Sequence, residues 1–166
     1  MRFIVQYFLI TLFFIIVTPI HANEYQGVVI KVVDGDTVDV ILDNNITKRI
    51  RLLYIDAPEI KQKYGIESKI FLEKNILNNK VTINSEKIDR YNRDLAQIFI
   101  FNKEQEKAIF INAKMIKSGH AWVYKYNRSN KYLINLETHA RLNKLGLWKY
   151  ESPLEPWKYR KKNLNR

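Results

Sequence analysis

Two turns set close together constrain this chain more than any other feature. Asp34-Gly35-Asp36 and Asp43-Asn44-Asn45 interrupt an otherwise β-branched stretch, and both are built from residues that tight turns favour. Gly and Asp also tolerate the left-handed backbone that many such turns use. Three extended segments remain, at residues 28–33, 37–42 and 46–55, the last ending ahead of Pro58, which cannot donate to a ladder. Strands joined this way form an antiparallel meander. The start of the second strand, at Asp36, then lies beside the end of the third, near Arg51 and Asp56.

Further on the period changes. Ile66, Ile70 and Leu77 share one helical face, widened by Phe71, Leu72 and Ile76, while Lys69 and Glu73 sit four apart outside it, which predicts a helix over 66–77. Residues 80–87 alternate through Val81 and Ile83. Residues 95–101 are apolar on both faces, as a central strand would be, and between the two runs lies the polar turn 89–94. A second helix is predicted over 109–118, stopped by Gly119. A third is predicted over 133–145, with Leu133, Leu136 and Ala140 on one stripe and Gly146 beyond its end. Five short strands with three helices at the corners predict an α+β, mainly β fold closed as a small barrel. The barrel domain is expected over 23–150, and the basic segment 151–166, with Pro153 and Pro156, is expected to lie on the surface or fray.

Residues 1–22 are excluded from that fold. Arg2, the apolar run from Phe8 to Val17, and Thr18-Pro19 ahead of Ala22 form the pattern of an export signal, and the run is shorter than the ~20 residues of a membrane span. Cleavage is expected near Ala22-Asn23, which places the protein outside the cytoplasm, in the periplasm or the medium. An uncleaved N-terminal membrane anchor is the alternative. The formal net charge of +11 falls by only one when this segment goes, because Arg2 is its one charged residue. Such a surface attracts polyanions, nucleic acid among them, although a basic surface serves solubility as well. With no cysteine, the chain has neither disulfides, nor thiolate zinc sites, nor a cysteine nucleophile. His120 and His139 lack ligand-like spacing and read as surface or packing residues.

The chemistry sits in the turns. Asp36 and Asp56 with a backbone carbonyl and water suit a hard cation such as Ca²⁺. Glu59, stiffened by Pro58, is placed to take a proton from water. Arg51 beside Asp56, and Arg93 from the distant 89–94 turn, can donate to phosphate oxygens. Trp122, Tyr124 and Tyr126 alternate around Lys125, which offers ring faces to unpaired bases and an ammonium to phosphate. The competing reading of these aromatics is that they fill the seam between barrel and third helix. Taken singly, an Asp in a turn or an Arg on a strand is commonplace, and only the joint pattern carries the argument.

That pattern resembles the staphylococcal-type thermonuclease family. The matching blocks are Asp34-Gly35-Asp36-Thr37, Arg51 followed by Asp56-Ala57-Pro58-Glu59, Tyr64-Gly65 opening a helix, Asp89-Arg90-Tyr91 with Arg93, Ala121-Trp122-Val123-Tyr124, and Gly146-Leu147-Trp148. They run in family order from about Tyr25 to Trp148. The resemblance implies a five-stranded OB-type barrel and a Ca²⁺-dependent endonuclease acting on DNA and RNA, with 5′-hydroxyl and 3′-phosphate products. It implies metal ligation by Asp36, Asp56 and the Ala57 carbonyl, Glu59 as general base, and Arg51 and Arg93 as phosphate clamps. Arg90, Tyr91, Trp122 and Tyr124 fall on the nucleotide side of that pocket. Single-stranded or unpaired substrate and a monomeric state are expected.

The chain departs from the family pattern at five points, one of them a longer and more charged segment from Asn102 to Ala108. Ala57 stands where Thr is found, and Asn92 stands where Gly is usual. Asp94 is expected to draw charge from Arg93. Only four residues separate Glu59 from Tyr64, so the loop after the base is short. The rival function is a non-catalytic OB-type nucleic-acid-binding module. Such modules lose the acidic and arginine positions, and here all five are present.

Overall fold

The structure, a computed structural model, describes residues 23–102 and 104–164, so the expected export segment lies outside the described residues. The meander forms as predicted from β1 (Asn23–Val32), β2 (Thr37–Leu42) and β3 (Thr47–Leu52). β1 also pairs antiparallel with β5 (Lys80–Ile88), and β5 pairs with β6 (Asp94–Asn102). The ladder closes where β6 meets β3 in parallel, Leu52 opposite Ala96. A register shift between Val29 and Lys31 lets β1 bend enough to serve both neighbours. The result is the expected five-stranded closed barrel. Alternating inward residues, among them Val29, Val38, Val40, Ile50, Val81, Ile83, Ala96 and Ile98, are fully buried and fill it.

The third strand ends earlier than predicted. Tyr54 adopts a positive φ of 71°, which breaks the run and starts a separate two-residue strand, β4 (Ile55–Asp56). β4 pairs with β8 (Trp122–Val123), Asp56 opposite Trp122. An additional strand, β7 (Lys107–Phe110), extends β6 and occupies the start of the second predicted helix, which becomes α2 (Ile111–Lys117). α2 is pinned to the barrel by Asn112. Its buried side chain accepts from the Ile98 amide at 3.0 Å and donates to the carbonyls of Leu53 and Ala96 at 2.8 and 3.1 Å.

The first helix, α1 (Gly65–Ile76), keeps its predicted place but not its predicted face. Ser68, Leu72 and Ile76 are buried, whereas Ile66 and Ile70 point outward at 57% and 41% exposure. The stripe read from the isoleucines is therefore rotated, because Gly65 and Ser68 provide the close approach that α1 makes to the loops beneath it. One such loop is Asp34-Gly35-Asp36. None of its residues has a positive φ; a Cβ on Gly35 would instead lie 2.1 Å from Ser68 Oγ and 2.6 Å from Ala57 Cβ. The glycine is needed for space, not for left-handed backbone.

The third helix is α3 (Lys131–Leu142). Its buried Glu137 accepts from the Val123 amide at 2.7 Å and pairs with Arg141 and Arg128, which ties α3 to β8. A fourth helix, α4 (Pro156–Leu164), was not expected, so the predicted count of three is corrected to four. Pro156 opens it, a position where the missing N–H costs nothing. Trp157 joins a second cluster formed by Tyr64, Trp122, Ala140, Leu147 and Trp148. The segment expected to fray thus has a packed helical part. Among the described residues no helix is long and apolar enough to cross a membrane.

Candidate active site

The mouth of the barrel between the β1–β2 turn, β4 and α4 is a cleft of about 1350 Å³. At its floor the antiparallel register sets Thr37 opposite Arg51, which brings Asp36 and the end of β3 together as the meander requires. The Leu52 amide donates to the Asp36 carbonyl at 2.8 Å, and the Ala57 amide donates to the Asp36 carboxylate at 2.8 Å. Arg51 pairs through Nη1 with Asp36 and through Nη2 with Asp56 at 2.8 Å. Both acids are buried, Asp56 completely.

These surroundings pull the acids apart. Burial disfavours the charged form of Asp36, but the Arg51 charge and hydrogen bond outweigh it and hold this carboxyl below the usual range. Burial and the adjacent Asp36 charge push Asp34 up to about 7. Burial also raises Asp56, against the opposing hydrogen bond from Arg160. Arg51 itself is raised despite its own burial, because three carboxylates surround it.

Glu59 lies on the cleft wall with its side chain partly exposed. The short loop that follows it is two tight turns: the Gln62 amide donates to the Glu59 carbonyl at 2.7 Å, and the Gly65 amide donates to the Gln62 carbonyl at 2.9 Å. Gln62 Oε1 also accepts from the Glu59 amide at 3.2 Å, while its Nε2 donates to the Leu154 carbonyl at 2.5 Å. The loop is therefore tied to the C-terminal segment.

Arg93 reaches the same cleft, as the barrel topology predicts. Its partner is Asp89, not the suspected Asp94. Arg93 Nε and Nη2 donate to Asp89 Oδ2 at 2.9 and 2.7 Å, while Asp94 is engaged by Lys48 and Tyr25. Among the described residues Arg93 Nη1 has no hydrogen-bond partner, which leaves two of the guanidinium's five N–H donors. Asn92 takes a φ of 58°, the left-handed conformation its position needs. Arg90 and Tyr91 stand on the cleft rim, with Arg90 donating to the Tyr91 hydroxyl at 2.7 Å. Tyr124 and Lys125 also line the cleft.

Trp122 is not among the residues brought together. It is buried at 4% exposure, edge-on to Trp148 with centroids 4.2 Å apart, and has Arg141 over its ring. It fills the seam between barrel and third helix, so the expectation that it faces nucleotide is corrected. Its place across the cleft is taken by residues that sequence reasoning missed, chiefly Arg160 of α4. Arg160 donates to Asp56 at 2.8 and 3.1 Å and to Glu59 at 2.6 Å. Pro156 followed by an aromatic and basic run was the one available signal for a helix there.

The donor set suits a hard cation. Asp36 and Asp56 offer oxygen only, and because one guanidinium bridges them they face a common point, next to the buried Ala57 with its main-chain carbonyl. Among the described residues no group of three or more acidic, histidine or cysteine side chains is arranged to hold an ion, so main-chain and water oxygens would complete the shell.

A closed five-stranded barrel of the OB type, with two buried acids, several arginines and accessible tyrosines around one cleft, defines a protein built to handle phosphodiesters. Comparison with known proteins carries this further. A family model described as Staphylococcal nuclease homologue matches residues 49–150. The micrococcal nuclease of Shigella flexneri is 34% identical over 147 residues, covering 86% of this chain and 84% of that protein. An uncharacterized endonuclease of Escherichia coli O157:H7 is 36% identical over 147 residues, covering 89% and 92%. Protein ParB of Escherichia coli is 32% identical over 157 residues, covering 92% and 88%. The chain belongs to the staphylococcal nuclease family, and its enzyme class is nuclease, a phosphodiester hydrolase.

Proposed function

We propose that the protein is an exported, Ca²⁺-dependent, sugar-nonspecific endonuclease that hydrolyses DNA and RNA to leave 5′-hydroxyl and 3′-phosphate ends. The observation that carries this reading is Arg51 held between two buried carboxylates beneath a cleft that also holds Glu59 and Arg93. Asp36, Asp56 and the Ala57 carbonyl would hold the ion, which supplies Lewis-acid neutralisation of phosphate charge. Glu59 accepts a proton from the attacking water. The new P–O bond forms as the P–O5′ bond breaks, and the 5′ oxygen leaves and is protonated. Arg51 donates to the phosphate through N–H groups beyond those it gives to the acids. Arg93 does so through Nη1, with Asp89 fixing its plane.

Tyr91, 62% exposed, and Tyr124 both line the cleft, and aromatic rings there suit unpaired strands better than stacked duplex. The apolar run and exit pattern of residues 1–22 support export, and a monomer satisfies the site.

The test is end-group analysis of products from denatured DNA and from RNA in Ca²⁺, Mg²⁺ and EGTA. Cutting that needs Ca²⁺ and leaves 5′-hydroxyl ends is expected on both substrates. Products with 5′-phosphate ends overturn the mechanism, and binding without cutting in any condition points to the non-catalytic module. Immunodetection of the protein in periplasm and medium, and absence from the membrane fraction, checks export.

A further inference from the structure

We infer that Arg160 is a third arginine of the active site, one that exchanges Asp56 and Glu59 for a substrate phosphate. The inference rests on the reading of Asp36 and Asp56 as a Ca²⁺ site. Arg160 Nη1 donates to Glu59 Oε1 at 2.6 Å and to Asp56 Oδ1 at 3.1 Å, and Nη2 donates to Asp56 Oδ2 at 2.8 Å. Arg51 also donates to Asp56 Oδ1, so both oxygens of this fully buried carboxylate are engaged. A cation approaching Asp56 meets the Arg160 charge already seated on both oxygens, and one Glu59 oxygen is held by the same guanidinium. Arg160 therefore competes with a cation for Asp56 and with a water proton for Glu59.

Its backbone stays behind when the side chain is displaced. α4 is fastened by Pro156, which is buried, by the Tyr159 hydroxyl donating to the Lys61 carbonyl at 3.1 Å, and by Trp157 against Trp122 at 6.0 Å between centroids. Only the Arg160 side chain, 40% exposed, is free to turn. A guanidinium displaced from Asp56 by a divalent ion is repelled by that ion and drawn to the phosphate entering between Arg51 and Arg93. Its planar fork suits two phosphate oxygens as well as it suits two carboxylates. The exchange links the two ligands. Arg160 opposes cation binding while the cleft is empty and favours nucleotide once the cation is in place, so each ligand improves the site for the other.

The linkage gives a signature with two opposite signs, which a merely structural role does not. Arg160→Ala and Arg160→Gln, checked for fold by circular dichroism, are compared with wild type and with Arg160→Lys by calorimetric titration. The titrants are Ca²⁺ alone, then thymidine 3′-phosphate in saturating Ca²⁺, a product-like nucleotide with no bond to cut. The Ala and Gln variants are expected to bind Ca²⁺ roughly threefold or more tightly than wild type, having lost an internal competitor. They are expected to bind the nucleotide about tenfold more weakly, having lost one charge-assisted contact, with Lys in between. Wild-type affinity for the nucleotide in either variant, or Ca²⁺ binding no tighter than wild type, overturns the role of Arg160. Failure of wild type itself to bind Ca²⁺ overturns the cation reading, and the exchange with it.

Discussion

Arg51 Nη2 lies 2.8 Å from Asp56 Oδ1 while the same guanidinium pairs with Asp36, so a single side chain holds two buried acids at the barrel mouth. Removing it leaves Asp36 with no guanidinium partner among the described residues and Asp56 with Arg160 alone. Arg51→Ala is expected to lower rate by roughly 10²-fold or more, the cost typical of a preorganised donor. It is also expected to lower stability in EGTA by about 3 kcal/mol, as the loss of one partner from a buried ionic group does. Ca²⁺ should restore much of that loss. Urea denaturation with and without Ca²⁺ checks it, and an equal loss in both conditions counts against a shared cation seat.

In the proposed mechanism Glu59 takes the proton and Arg93 meets the phosphate. Glu59→Gln is expected to lower kcat by about 10²- to 10⁴-fold with an intact fold, the range for loss of a general base. Arg93→Ala is expected to lose about 10²-fold or more. Single-turnover rates on a labelled oligonucleotide measure both. Wild-type rates for Glu59→Gln would falsify its assignment as base.

Tyr124 and Trp122 are two residues apart in sequence and differ in role. Tyr124→Ala is expected to weaken binding of a single-stranded oligonucleotide by about 1–3 kcal/mol, the value of one stacked base. Trp122→Phe should leave that affinity unchanged and lower stability by on the order of 1 kcal/mol, since Trp122 packs on Trp148. Fluorescence anisotropy and thermal melts separate them, and a matching affinity loss in both variants contradicts the assignment.

His120 lies face to face with Phe71, centroids 3.7 Å apart, and its Nδ1 is 3.2 Å from the Tyr64 hydroxyl. Burial, aided by the Lys149 charge, pushes its pKa down to about 4 from 6.5. Above pH 6.5 the imidazole is neutral in both folded and unfolded chains, and its contribution is fully present. Between 6.5 and 4 the unfolded chain takes up a proton that the folded one refuses, so stability falls as pH falls; below 4 the loss is complete. The expected loss is on the order of 2 kcal/mol. Denaturation curves from pH 7.5 to 4 should be flatter across that window for His120→Phe, and an unchanged pH slope refutes the claim.

Where spacing and turn chemistry govern, the sequence spoke clearly. The Asp34–Asp36 turn, the meander and the convergence of Asp36, Arg51 and Asp56 follow from local residue types and strand register, which no distant contact overrides. Elements set by tertiary contact were harder to read. Ile66 and Ile70 look like a core face, yet Gly65 and Ser68 form the real contact surface because the loops beneath α1 leave no room for larger groups. Trp122 and Tyr124 occupy an extended segment that gives no sign of which ring the helices will cover. Arg160 was invisible for a related reason: its partners lie more than 100 residues away, and a basic tail resembles solvated surface until a helix aims it.

Gln62 and Tyr159 fasten the loop after Glu59 to the C-terminal segment, and α4 runs from that fastening so that Asn163 and Leu164 also line the cleft. A partner fused beyond α4 is therefore attached close to residues that line the cleft. A purification tag or fusion partner at that end would share space with the nucleic acid, whereas a partner joined ahead of Asn23 would enter through the first barrel strand. For protein engineering, the two ends of this domain are not equivalent, and the C-terminal one is a handle on the reaction itself.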